Sequence, residues 1–369
     1  MINIYNPNIE KYKNSSLNAI NDGWISNHGI YVEKANEKLK NITGTTYSIL
    51  MANGTCATHC LFLALKFKHP KIKTIYVPNN CYVAAWNAVL MEYDIEQLEV
   101  MNMDIDTWNI STNETYIKNL KNNCAILIVH NVGNIVNVPR LKRLRPDIIF
   151  IEDNCEGMFG KYENIYSGIS FCSLASACSF YGNKIITTGE GGAFFTQHSD
   201  IFNHIKNVYS QGMSEKKYIH KVHAYNYRMT NVAAGFLFEQ LNDIDCILKN
   251  KYNIFDVYEN LFFKLIKSNK VKLLKKENNT IYSPWIFSIR LIGNTKSFDI
   301  IQNFFNENNV DIRPFFYPIN YHDHLKCIKN EDNVSYILNK EIIMIPSSPT
   351  ITIEQQKHVV DVVSRFLIT

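Results

Sequence analysis

A single lysine, Lys184, stands in the stretch SFYGNKIITTGEGG (179–192) among small, turn-forming and hydroxyl residues, with glycines closing behind it. The solvated lysines of this chain keep other company, as in KHPKIK and SEKK. An amine used for Schiff-base chemistry needs its neutral form within reach, which burial or a neighbouring cation provides and open solvent does not. Hydroxyls nearby can hold a phosphate, and a glycine turn lets backbone approach a ligand closely. Asp153 ends an apolar run in DIIFIEDNCEG, and Glu156 follows it. A carboxylate at the end of a buried strand is costly unless a cation or strong donor meets it. A structural salt bridge or a turn cap would also satisfy it. Gly54 and Thr55 stand just ahead of the apolar helical pattern in NGTCATHCLFLAL. Their N–H groups would be among the free donors of a helix N-terminus, where a phosphate is stabilised, although Asn-Gly-Thr is also plain helix capping.

These three features converge. A phosphate cradle, a buried carboxylate and a Schiff-base amine are what pyridoxal 5′-phosphate requires as anchor, partner of the pyridinium nitrogen and partner of the aldehyde. Two other clusters are weaker candidates. Cys56, His59 and Cys60 in CATHC have the i, i+3, i+4 spacing of one helical face, but no second ligand pair follows at zinc-site spacing. His322 and His324 in YHDHL likewise lack partners, so no metal site is expected.

The elements that must position these residues are short apolar runs between helical patterns: TIYVPN (74–79), AILIVH (125–130), DIIFIED (147–153) and GGAFFT (191–196). Strands alternating with helices predict an α/β fold with a mostly parallel sheet covered on both faces. Ligands gather at the carboxyl ends of such strands, which singles out Asn79, His130 and Asp153. Beyond about residue 240 the pattern changes. A long helix-like stretch, QLNDIDCILKNKYNIFDVYENLFFKLIK, precedes a strand-like YSPWIFSIRLIG and an amphipathic TIEQQKHVVDVVSRFL. We therefore expect a large cofactor-binding domain over residues 1–245 and a smaller α+β domain over 246–369.

Composition narrows the function classes. With 46% hydrophobic and 20% charged residues in 369, the chain can bury a large core. Its 38 basic and 34 acidic residues are scattered, without a like-charged block, so no nucleic-acid partner is expected. No signal-peptide pattern opens the chain, and no run of about 18 apolar residues occurs. The expectation is a soluble cytoplasmic protein without a membrane partner, its odd number of cysteines reduced. A bias toward Asn, Ile, Lys and Tyr fits an AT-rich genome, that of a low-GC bacterium or of a large DNA virus, in which case the compartment is the host cytoplasm.

The motifs also carry a resemblance. GWISNHGIYVEK (23–34), NGTCATH, VPNNCYVAAWNAV (77–89), DIDTWNI (104–110), VHNVGN (129–134), IEDNCEGMFG (151–160), SFYGNKIITTGEGG, YNYRMTNVAAGF (225–236), IRPFFYPI (312–319) and IPSSPTIT (345–352) occur in the order seen in one family. Nearly end to end, the chain resembles the DegT/DnrJ/StrS sugar-nucleotide aminotransferases, which have the aspartate aminotransferase fold, fold type I of the pyridoxal-phosphate enzymes. The resemblance implies a seven-stranded sheet in the large domain, with Lys184 as the catalytic amine and Asp153 on the pyridine nitrogen. It places Glu156 near the ring hydroxyl and stacks Tyr82 on the ring. Gly54, Thr55 and Cys56 backbone with the Ser179 hydroxyl would hold the phosphate. Asn226 would reach that phosphate from the neighbouring subunit of a homodimer with shared active sites; within one chain it could instead cap a helix.

Substrate contacts implied by the same resemblance are Trp24, Ser26, Asn27, Arg228, Arg313 and Tyr317, although Arg228 could hold its loop instead. Asn131 and Val132 replace a usual aromatic, and Asn320 a frequent histidine, near the expected sugar site. A dehydratase branch of the family carries histidine at the Lys184 position, so lysine disfavours that branch. The implied reaction moves an amino group from L-glutamate to a nucleotide-linked keto-6-deoxysugar. GWIS together with RPFFYP looks most like perosamine- and viosamine-type enzymes, which aminate C4 of a GDP- or dTDP-linked sugar. A C3-specific enzyme of the same family and a non-catalytic cofactor-binding regulator are the alternatives.

Overall fold

The computed structural model describes residues 1–368. The apolar runs become strands bounded by turn residues: β1 (Tyr47–Met51), β2 (Thr74–Pro78), β3 (Leu98–Met101), β4 (Cys124–Val129), β5 (Ile149–Asp153), the short hairpin β6 (Lys161–Tyr162) and β7 (Ile165–Tyr166), β8 (Ser173–Ser179) and β9 (Gly192–Thr196). A seven-stranded sheet forms in the order β1-β9-β8-β5-β4-β2-β3. From β3 to β8 every pairing is parallel, whereas β9 lies antiparallel to both β8 and β1. This is the α/β, mostly parallel arrangement that the sequence led us to expect.

Period-two alternation sorts the strand side chains onto two faces. In β4, Cys124, Ile126 and Ile128 enter one core while Ala125, Leu127 and Val129 enter the other. In β5, Phe150 and Ile151 divide the same way. Both faces must therefore be covered, and helices do this. Gly54–Lys68, Val83–Leu90 and Ser199–Val208 lie on the Leu127 side, and the paired helices Ile30–Thr43 and Asn231–Asn242 belong to the other core.

The C-terminal part adds β10 (Val271–Lys272), β11 (Thr280–Ile281), β12 (Ser288–Leu291), β13 (Arg313–Pro314) and β14 (Ile342–Met344). An antiparallel sheet in the order β10-β12-β14-β13 packs with the helices Ile244–Lys267, Phe298–Glu307 and Ile353–Phe366 around a third core, while β11 extends the β6–β7 hairpin. The chain start joins this region, with the Ile2 amide donating to the Asn309 carbonyl at 2.7 Å.

Two details differ from the sequence expectation. The helix-like stretch from residue 240 is broken at Asp243, whose carboxylate is held by Lys11 at 2.5 Å and Tyr12 at 2.7 Å. In YSPWIFSIRLIG only Ser288–Leu291 is strand. Pro284 has no N–H to give a ladder, and the Trp285 amide turns back to the Ser283 carbonyl at 2.8 Å. That irregular loop brings the Trp285 ring to 4.0 Å from Lys184 Nζ. Among the described residues no helix is long and apolar enough to cross a membrane.

Candidate active site

Of the three polar strand ends, only Asp153 is left open to chemistry. Asn79 is fully buried and exchanges hydrogen bonds with Asn330, donating at 2.7 Å and accepting at 3.0 Å, while its oxygen also accepts from the Ile319 amide at 3.2 Å. His130 is equally buried. Its Nδ1 accepts the Val136 amide at 3.1 Å, which leaves Nε2–H to donate to Glu152 at 2.9 Å. Both are fastenings between elements, because each spends its polar atoms inside the chain.

Consecutive residues of a strand face opposite ways, and Glu152 and Asp153 show what this decides. Besides His130, Glu152 accepts from Tyr162 at 3.0 Å, the Gly168 amide at 2.9 Å and the Ser173 hydroxyl, so its charge is solvated by protein alone. Among the described residues, Asp153, 6% exposed, receives the Cys155 amide at 3.0 Å, a bond from the Cys155 thiol and a long contact from the Thr58 hydroxyl at 3.4 Å. Among the described residues no cationic side chain pairs with it. A buried carboxylate so placed calls for a cationic partner from a ligand.

The helix Gly54–Lys68 begins beside it. Asn53 caps this helix by accepting the Cys56 amide at 2.9 Å. Cys56 N–H is thus already committed, and the amides of Gly54 and Thr55 are the donors left for an anion. A Cβ on Gly54 would lie 2.8 Å from Ser179 Cβ, 3.0 Å from Ser179 Oγ and 3.3 Å from Cys155 Sγ. Glycine is therefore what allows the helix start to close onto the Ser179 hydroxyl at the end of β8.

Lys184 sits in a turn in which its amide donates to the Tyr181 carbonyl at 2.9 Å. Its Nζ lies 4.0 Å from the centre of the Trp285 ring, and the Tyr5 hydroxyl donates to its carbonyl at 2.5 Å. Lys184, Ser179, Cys155, Glu156 and Trp285 line one cavity. Burial pushes the Glu156 carboxyl up to about 7, opposed by the positive charge of Lys184. Its Oε2 accepts the Val132 amide at 2.8 Å. Val132 reaches this position with φ 47°, an uncommon value for a β-branched residue. Gly133 follows at φ 84°, where a Cβ would stand 2.1 Å from the Ser283 carbonyl oxygen.

Among the described residues, the remaining expected ones make no hydrogen bond to this cluster. Tyr82 precedes the helix Val83–Leu90 and is 62% exposed, whereas its neighbour Cys81 is buried near Asp153 and Glu156. Asn226 is exposed and caps nothing, since Thr230 is the N-cap of the next helix. Arg228 donates to Ser210 at 3.2 Å and Gln211 at 3.3 Å, so in this chain it holds that loop. Trp24 and Ser26 are exposed and Asn27 is half-buried. Asn231, which the sequence did not single out, fixes their loop by donating to the Trp24 carbonyl at 2.6 Å and accepting the Tyr31 amide at 2.9 Å. Arg313 is exposed on the edge strand β13, and the Tyr317 ring leans toward Tyr321 with centres 5.6 Å apart.

Asn131 is fully buried and donates to the Asn80 and Trp108 carbonyls at 2.8 and 3.1 Å. Asn320 is bonded to the Tyr336 hydroxyl. In CATHC, both ring nitrogens of His59 are engaged, by Tyr227 at 3.0 Å and Glu92 at 3.1 Å. Among the described residues no three His, Cys, Asp or Glu side chains are grouped for a metal ion.

Pyridoxal phosphate fits the central residues on two counts: Asp153 lacks a cation, and the Gly54–Ser179 approach leaves amide and hydroxyl donors together. Comparison with known proteins agrees. The chain is 28% identical over 373 residues to a GDP-perosamine synthase of Escherichia coli O157:H7, covering 99% of this chain and 98% of the relative. The fold matches Helicobacter pylori PseC, an aminotransferase involved in pseudoaminic acid biosynthesis, with TM-score 0.89 at 19% identity over 99% of this chain and 98% of that one. It also matches an E. coli GDP-4-keto-6-deoxy-D-mannose-3-dehydratase with bound hydrated PLP, with TM-score 0.87 at 18% identity over 98% and 99% of the two chains. The model of the DegT/DnrJ/EryC1/StrS aminotransferases spans residues 7–364, and the chain belongs to that pyridoxal-phosphate-dependent family.

Proposed function

We propose that this enzyme moves an amino group from L-glutamate to C4 of a nucleotide-linked 4-keto-6-deoxysugar, giving a 4-amino-4,6-dideoxysugar. The observation that carries the chemistry is the buried, cation-free Asp153 beside the Gly54–Ser179 cradle, with Lys184 and Ser179 lining one cavity. Lysine rather than histidine at 184 favours amino transfer over dehydration. The perosamine synthase likeness along 99% of the chain favours a GDP-linked sugar and perosamine over dTDP and viosamine.

In this assignment the Gly54 and Thr55 amides and the Ser179 hydroxyl hold the phosphate, and Tyr82 covers the ring. Asp153 faces the ring nitrogen and keeps the proton on it. Bound pyridoxal phosphate supplies an aldehyde for amines and a ring that accepts electrons. Lys184 Nζ takes the proton from the donor's Cα and returns one in the reverse half-reaction on the sugar carbon. Glu156, held by Val132, faces the ring hydroxyl. Trp24, Ser26, Asn27, Arg228, Arg313 and Tyr317 are assigned to the sugar nucleotide.

The active unit is assigned as a homodimer in which Asn226 of each chain completes the partner's phosphate site. Its exposure and the absence of a capping role support this. A panel of GDP- and dTDP-linked 3-keto and 4-keto sugars with glutamate as donor tests the substrate. Turnover is expected in the GDP-linked 4-keto series, and strict preference for a 3-keto sugar overturns the C4 assignment while leaving the enzyme class in place.

A further inference from the structure

Behind Lys184 lies a second lysine that the proposed chemistry does not use. Lys251, on the helix Ile244–Lys267, is fully buried. Among the described residues no carboxylate pairs with it; its Nζ donates to the carbonyl of Trp285 at 3.0 Å and to that of Ser347 at 2.5 Å. Rings of Phe255 and Tyr5 lie 5.5 and 5.9 Å away. Burial lowers the pKa of its ammonium group to about 7. An apolar side chain would fill such a site without desolvating an amine. What lysine adds is a tether between two loops.

Two of the three aromatic residues around this amine, Trp285 and Tyr5, continue to Lys184. Trp285 donates its indole N–H to the Asn183 carbonyl at 2.9 Å and lays its ring 4.0 Å from Lys184 Nζ. Tyr5 donates its hydroxyl to the Lys184 carbonyl at 2.5 Å. The Asn183–Lys184 segment is thus held at two carbonyls and at its amine by residues from outside the large sheet, and these converge on Lys251. We infer that Lys251 is a positioning residue for Lys184, acting through Trp285 and Tyr5, which it holds against the Asn183–Lys184 turn. The inference rests on Lys184 being the reacting amine.

The test compares Lys251→Met with the parent in two ways. In the apoprotein, acetic anhydride labels each lysine in proportion to its neutral, accessible amine, read by peptide mass spectrometry. Loss of the ring that lies 4.0 Å from Nζ releases the amine. Lys184 labelling therefore rises roughly two- to thirtyfold relative to exposed lysines, the range of a cation–ring contact. In the holoenzyme, kcat falls roughly tenfold or more while KM for the sugar holds, because a displaced amine costs rate rather than substrate binding. In a Trp285→Leu background, Lys251→Met adds less to either readout than it does in the parent, since one of its two routes, the indole, is already gone.

Unchanged Lys184 labelling in the folded variant, or full additivity with Trp285→Leu, overturns the inference. Where Lys251→Met does not fold, Lys251→Gln, which keeps an N–H donor, and Tyr5→Phe, which removes only the bond to Lys184, replace it. Unchanged labelling in both overturns it equally. Because labelling is read without cofactor or substrate, its failure is distinct from failure of the proposed reaction, which Lys184→Ala tests separately.

Discussion

A Cβ placed on Gly54 would stand 2.8 Å from Cβ of Ser179, so the helix start and the end of β8 meet at a distance that only glycine permits. Gly54→Ala must force them apart, since Ser179 Cβ belongs to a buried strand and cannot swing aside. Such overpacking costs about 1–3 kcal/mol. Pyridoxal-phosphate affinity is expected to fall roughly ten- to hundredfold, read by titrating the apoprotein and following absorbance. Gly182→Ala, where nothing lies within 4 Å of the added atom, should leave thermal stability unchanged. Undiminished affinity in Gly54→Ala would place the phosphate elsewhere.

Lys184→Ala removes the aldehyde partner and the proton carrier together, and turnover should drop by roughly three orders of magnitude or more with the fold intact. Asp153→Asn keeps the shape and removes the charge. Its loss, roughly a hundredfold, should fall on kcat more than on cofactor retention. Restoration of full activity by excess cofactor would show that Asp153 serves binding alone.

Glu156 titrates at about 7 in the folded protein because burial raises it from the ordinary 4.5. Between those values the folded chain keeps a proton that the unfolded chain releases, so this group's contribution to stability falls as pH rises through the window. Glu156→Gln does not titrate and still accepts the Val132 amide. Urea unfolding of the two apoproteins at about pH 5 and about pH 8 should show the variant gaining on the parent at the higher pH, by on the order of 1–3 kcal/mol. An equal difference at both pH values would mean that Glu156 is ionised throughout.

If sites are shared, an inactive Lys184→Ala chain mixed with an inactive Asn226→Asp chain regains activity, because one site of the hybrid carries both lesions and the other carries neither. The added carboxylate repels phosphate at the partner's site. Up to about half the parental activity per hybrid dimer is expected. No recovery after demonstrated subunit exchange would confine Asn226 to its own chain.

The sequence by itself determined the fold class and the mostly parallel sheet, and it singled out Gly54, Asp153 and Lys184. The reason is local: strand and helix periods, a cap, a glycine turn and a charge ending an apolar run are all written within a few residues of one another. What it could not determine was the fate of polar residues whose partners lie far along the chain. Asn79, His130 and Asp153 read alike as strand ends, and only packing showed that two are spent on Asn330 and Glu152 while the third remains open. Asn131, read as a replacement for an aromatic near the sugar site, is a buried brace. Asn231, Trp285 and Lys251 gave no local signal, because their roles arise from hydrogen bonds to residues 207, 102 and 96 positions away. Chain topology creates such partnerships, and they exist only after the sheet and the helices have assembled.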